Sequence, residues 1–150
     1  MFIVKFLIIF FSFQCFSNEI YTIEIDGSNL PNGEGTINDG KKLYSKNCSQ
    51  CHGPSGEGLY APELVGKGKL VGNEVSKTVG NFWPYAPKIF DYLKRAKRKE
   101  NETFFSDEEI YSITGYILNL NGLFSAEKIN KKLLSEIIMP NRENFISDYY

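Results

Sequence analysis

Metal-binding side chains are scarce in this 150-residue sequence, which holds three cysteines, one histidine and two methionines. A structural zinc ion takes four thiolate or imidazole ligands. Cys15 lies in an N-terminal apolar leader, so Cys48, Cys51 and His52 remain, and a zinc site within the chain falls one ligand short. Strand-like alternation is rare, which removes the βαβ frame that a thioredoxin-like dithiol requires. The longest apolar run, near the N-terminus, is shorter than the ~20 residues of a comfortable membrane span. A net charge of −1 gives no electrostatic reason for a nucleic-acid partner. No set of acid, base and nucleophile stands out for chemistry on a substrate.

What the chain does have is Cys48-Ser49-Gln50-Cys51-His52. Cys-x-x-Cys-His is the attachment signature of a c-type haem: both thiols add to the porphyrin's vinyl groups and the histidine becomes an iron ligand. The pattern therefore predicts one covalent haem c, held by Cys48 and Cys51 with His52 on the iron. At 42% apolar residues the chain is sized for one domain with a single core. Its many Tyr and Phe suit walls around a large flat cofactor.

In chain order, Met1 to Ser17 has one cation, Lys5, then a Phe/Leu/Ile run and Gln14-Cys15-Phe16-Ser17, the layout of a secretory signal peptide. Cleavage after Ser17 would remove Lys5 and no acid, moving the charge from −1 to about −2 and leaving no stable membrane span. Export fits covalent haem attachment, which in bacteria takes place outside the cytoplasmic membrane, so a periplasmic location is expected. Residues 18–37 alternate briefly at Tyr21–Ile25 and then meet turn formers, which reads as an extended N-terminal arm before a haem domain over 38–150. A helix is expected from Asn38 or Asp39, with Gly40, Tyr44 and Cys48 on one face.

Pro62 stands ten residues past His52, where its carbonyl is a candidate partner for the second imidazole nitrogen; a simple turn proline is the alternative. Trp83, the single tryptophan, lies between two expected helices, where its indole either bonds a haem propionate or packs. Pro87 opens a helix that ends in Lys94, Arg95, Lys97, Arg98 and Lys99. Those cations complement a helix C-terminus, or else form a patch for an acidic partner. Ser106 and Glu109 form a capping box with Phe105 stapled to Ile110, and Gly122 stops that helix, which should cross the first one at Gly40 and Tyr44.

For the sixth position on the iron the options are Met139, a lysine nitrogen or an open site. Met139 is the one methionine outside the leader and precedes Pro140, after a helical stretch expected over Ala126–Ser135, so elimination favours it.

The chain resembles the monohaem cytochrome c subunit of periplasmic sulfite dehydrogenases and of the sulfur dehydrogenase of the thiosulfate-oxidising complex. The resemblance rests on Ile25-Asp26-Gly27 with Leu30-Pro31-x-Gly33-x-Gly35, Gly40-x-x-x-Tyr44, and Ala61-Pro62-x-Leu64-Val65-Gly66. It continues through Phe82-Trp83-Pro84-Tyr85-Ala86, Asp91-Tyr92, Asp107-Glu108-Glu109-x-Tyr111, Tyr116-x-Leu118-x-Leu120-Asn121-Gly122 and Met139-Pro140-Asn141-Arg142-x-x-Phe145. It implies an all-α cytochrome c-like domain, thioethers at Cys48 and Cys51, His52 and Met139 as axial ligands, and Pro62 as the histidine's carbonyl partner. In the common cytochrome c pattern the methionine precedes the C-terminal helix; here it follows the helix ending near Leu120. The implied function is one-electron transfer, not catalysis. Electrons would come from a molybdenum-containing dehydrogenase subunit and pass to a downstream cytochrome c or an oxidase. A freely diffusing carrier, or a haem enzyme or gas sensor with an open sixth site, are the competing readings. Residues 18–37 and the exposed haem edge are the candidate docking faces.

Overall fold

The structure, a computed structural model, describes residues 22–66, 70, 75–100 and 105–144. The expected export signal over 1–17, the side chains of Lys97, Arg98 and Lys99, and Phe145 lie outside the described residues.

The fold is an all-α domain with one two-stranded ribbon. Its elements are β1 (Glu34–Thr36), α1 (Ile37–Asn47), α2 (Ser49–His52), α3 (Val79–Phe82), α4 (Pro87–Glu100), α5 (Asp107–Leu120), β2 (Lys128–Asn130) and α6 (Lys131–Glu136). A short 3-10 turn follows at Arg142–Asn144.

Helix α5 is the axle. Every residue from Ile110 to Leu118 is buried, so the rest of the domain encloses it on all sides. Its start is as expected: Ser106 accepts from the Glu109 amide while the Glu109 carboxylate accepts from the Ser106 amide, and Phe105 packs against the cluster that holds Ile110. Gly122, at φ 69°, follows the last turn in the left-handed conformation that glycine adopts without strain.

Helix α1 crosses α5 at Gly40, where an added Cβ would lie 2.0 Å from the Ser112 carbonyl oxygen. Only a glycine allows that approach. One turn on, the Tyr44 and Tyr116 rings pack 5.4 Å apart. The helix begins earlier than Asn38 or Asp39. Thr36 is the cap: its Oγ accepts from the Asp39 amide at 3.1 Å, with φ −119° and ψ 146°. The reason is long-range, because Thr36 is already fixed as the last residue of β1, paired antiparallel with Lys128 of β2. That ribbon also corrects the helix expected over 126–135. Residues 128–130 are strand, and the helix starts only at Lys131, capped by Asn130.

Two apolar clusters flank α5. The first contains Ile23, Leu30, Ala86, Ile89, Phe90, Ile110, Tyr111, Leu118, Ile129, Leu134 and Met139, each no more than 3% exposed. The second contains Tyr44, Ile113, Tyr116 and Ile117, with Cys48 packed against it. Residues 22–36 lie along the first cluster. The Ile23 amide donates to the buried Asp91 carboxylate at 3.0 Å, and the Ile23 carbonyl accepts from Lys88. Asp91 also accepts from Arg95 at 2.8 Å, so its buried charge is compensated. Among the described residues no helix is long and apolar enough to cross a membrane.

Candidate haem site

Helix α1 ends at Cys48, whose amide still donates to the Tyr44 carbonyl at 2.8 Å. One further turn, α2, then carries Cys51 and His52, and the His52 amide donates to the Cys48 carbonyl at 2.9 Å. Neither cysteine is in a disulfide; Cys48 is half-buried and Cys51 exposed. The motif thus sits on consecutive turns, with Cys48 against the second cluster and Cys51 at the surface.

The loop after His52 folds back on the motif through the backbone. The amides of Leu59 and Ala61 both donate to the Cys51 carbonyl, at 3.1 and 3.0 Å, and the Gly58 amide donates to the His52 carbonyl at 2.8 Å. This brings the Pro62 carbonyl 2.7 Å from His52 Nδ1. A carbonyl only accepts, so Nδ1 carries a proton, and in the neutral ring the lone pair is then on Nε2, the tautomer a metal-bound imidazole needs. From the other side Asn121, at the end of α5, accepts from the Gly66 amide at 3.0 Å and donates to the Leu64 carbonyl at 3.2 Å. Asn121 was not singled out from sequence as a positioning residue. Its one signal is its place between the last helical turn and Gly122.

Tyr44 closes the loop from beneath, its hydroxyl donating to the Gly53 carbonyl at 2.8 Å. Burial, with the nearby Cys48 and Glu57 charges adding to it, pushes this phenol up to about 12, so it stays a protonated donor.

The walls are apolar and half-buried. Leu43, Leu64, Val79, Leu93, Phe105 and Leu120 surround the second cluster beside Cys48. Leu59 and Tyr60, on the loop bonded to Cys51, are 62% and 89% exposed. Trp83 packs on the first cluster and meets Tyr92 edge-on at 5.7 Å. Lys94 and Arg95 are engaged with Asp107 and Asp91, each at 2.8 Å.

Val79, Leu93 and Phe105 pack against both the cluster that holds Met139 and the cluster beside Cys48. Met139 is 1% exposed and belongs to the first cluster. Among the described residues no group of three or more His, Cys, Asp or Glu side chains is arranged to hold a metal ion directly.

The family model for cytochrome c matches residues 37–121, which contain the motif, its loop and both crossing helices. The chain belongs to the cytochrome c family. Membership implies covalently bound haem c, and the residues fit that group: two cysteines one turn apart and not in a disulfide, an imidazole whose Nδ1 is engaged by a carbonyl, and half-buried apolar walls. A comparison with curated proteins finds no match. Among solved structures the cytochrome is similar to a chain of the sulfane dehydrogenase SoxCD from Paracoccus pantotrophus, with 32% identity and a TM-score of 0.77. The alignment covers 85% of this chain and 64% of that one, so this cytochrome spans under two thirds of its structural relative.

Proposed function

We propose that this chain is the single-haem electron-transfer subunit of a periplasmic sulfite or sulfur dehydrogenase, taking electrons one at a time from a molybdenum-containing partner. The observation that carries this reading is the extent of the SoxCD likeness. It covers 85% of the chain, more than the cytochrome c domain at 37–121 accounts for, and so takes in flanking segments as well as the haem domain.

In this reading Cys48 and Cys51 hold the cofactor and His52 Nε2 binds its iron. Haem supplies a reversible one-electron couple when bound. The protein's own part is positional. The Pro62 carbonyl holds the imidazole proton at Nδ1 and raises the basicity of Nε2. Tyr44 and Asn121 fix the loop that carries Pro62, and the apolar walls keep water from the ring. Cys51, Leu59 and Tyr60 mark the side where the cofactor edge meets solvent, which is where electrons enter and leave. Electrons would then pass to a downstream cytochrome c or an oxidase.

The test is to purify the tagged holoprotein from its native periplasm, assay it for molybdenum, and add sulfite or thiosulfate. Co-elution with molybdenum and reduction of the haem by either donor is expected. A haem protein that elutes without molybdenum and stays oxidised overturns the subunit reading in favour of a freely diffusing carrier.

A further inference from the structure

We infer that Asn141 is the positioning residue for Met139, and that its bond to the Phe82 carbonyl makes α3 a brace shared by the segment carrying Met139 and the loop carrying Pro62. This rests on the haem reading above and on Met139 as the axial sulfur that elimination favours, and it concerns what holds that sulfur in place.

The need for such a tie is chemical. A thioether carries no charge, and the unbranched methionine side chain turns about three bonds, so it has no fixed direction of its own. Its backbone must be held instead, in the way that groups behind a metal ligand set its orientation. Around Met139 that hold is specific. Ile138 forms a β-bridge with Tyr85, and the Arg142 amide donates to the Met139 carbonyl at 3.1 Å, closing a turn over 139–142. Within the turn Asn141 is 6% exposed, and its Nδ2 donates to the Phe82 carbonyl at 2.7 Å, across 59 positions of sequence. Its Oδ1 accepts from Asn144 Nδ2 at 3.3 Å, so the amide is engaged at both ends. Phe82 is the last residue of α3, where a helix leaves its carbonyls without partners of its own.

The rest of α3 meets the loop that holds His52. An added Cβ on Gly80 would run into Asn121 Oδ1, and one on Gly66 into Thr78 Oγ1. Asn121 in turn bonds Gly66 and Leu64 of that loop. The buried Thr78 and Asn81 cap each other across the first turn of α3, which fixes its start. Val79 of the same turn packs against both the cluster that holds Met139 and the cluster beside Cys48. One helical turn thus touches both segments, and Asn141 is its link on the methionine side.

The test follows the sulfur-to-iron charge-transfer band of the ferric holoprotein, the midpoint potential, and the dissociation constant of added imidazole, which competes with the thioether. Asn141→Leu keeps the branching at Cγ and removes the donor. It should bind imidazole about 10 to 100 times more tightly than wild type, the usual scale for losing a group behind a metal ligand. Its band should weaken and its potential fall. Ile129→Ala, a cavity on the ribbon, should lower the thermal midpoint and leave imidazole affinity at the wild-type value. Imidazole affinity unchanged in Asn141→Leu, or raised equally in Ile129→Ala, overturns the inference. If Asn141→Leu fails to fold, heating wild type decides: the band should persist up to unfolding, and a band lost well before unfolding marks a sulfur that nothing pins. Failure of the underlying reading looks different. A wild type without the band, spectrally identical to Met139→Leu, removes the axial sulfur and the inference with it, and failure of the haem reading leaves no haem attached through denaturation.

Discussion

The two sides of α5 are built to different standards of closure. On the side of Phe90 and Leu134 every cluster member is at most 3% exposed, and even the buried carboxylate of Asp91 is matched by an amide, a guanidinium and an ammonium. On the side of Cys48 the small cluster is ringed by half-buried leucines, a valine and a phenylalanine, and the loop beyond it carries the exposed Leu59 and Tyr60. The first cluster also has half-buried neighbours, and Val79, Leu93 and Phe105 pack against both clusters. The second is a wall with apolar surface to share, which a flat hydrophobic cofactor would cover, so one helix serves both as core and as pocket lining.

The sharpest way to test that division is to strip the anchor. Cys48→Ala with Cys51→Ala should abolish covalent haem altogether, read as loss of haem stain on a denaturing gel; stain that survives would break the assignment of both thiols. Next in size is Phe90→Ala, which empties space on the closed side and should cost about 3–5 kcal/mol in a denaturant titration. It should leave the haem spectrum of the folded protein unchanged, and a spectral change as large as the stability loss would show that the sides are not separate.

The smallest effect concerns the ribbon. The Glu34 carboxyl is held below its usual range by Lys128, 2.8 Å away, and the Lys128 ammonium is correspondingly raised. A lowered acid stabilises the fold above its unfolded value and loses that contribution as pH falls through its folded value. The raised base contributes below its own unfolded value and loses that contribution as pH rises through its folded one. Glu34→Gln should therefore flatten the acid limb of thermal midpoint against pH, and an unchanged limb would show that the pair contributes nothing to closure.

Much of this was legible in the sequence where the determinants are local. The capping box at Ser106 and Glu109 and the stop at Gly122 are short-range hydrogen-bonding facts, and they stand as read. The crossing at Gly40 and Tyr44 followed from helical spacing toward the motif. Pro62 reached His52 because ten residues of loop form a backbone-bonded turn.

What failed was decided at a distance. Thr36, Asn38 and Asp39 are all good caps, and β1 chose among them through a partner strand near the other end of the chain. Lys128–Asn130 lies in a run of helix formers, and pairing overrode that propensity.

The strand pair has a consequence for the order in which the molecule is made. Its cross-strand ion pair joins Glu34 and Lys128, 94 positions apart, and closing a loop of that length costs roughly 4 kcal/mol of chain entropy beyond a constant. Cys48, Cys51 and His52 are neighbours however disordered the chain around them. Attachment at those positions would draw on residues adjacent in sequence, whereas sealing the far side must wait for the last third of the polypeptide. The sequence thus favours an assembly in which the prosthetic group is joined early and the door on the opposite side is shut last.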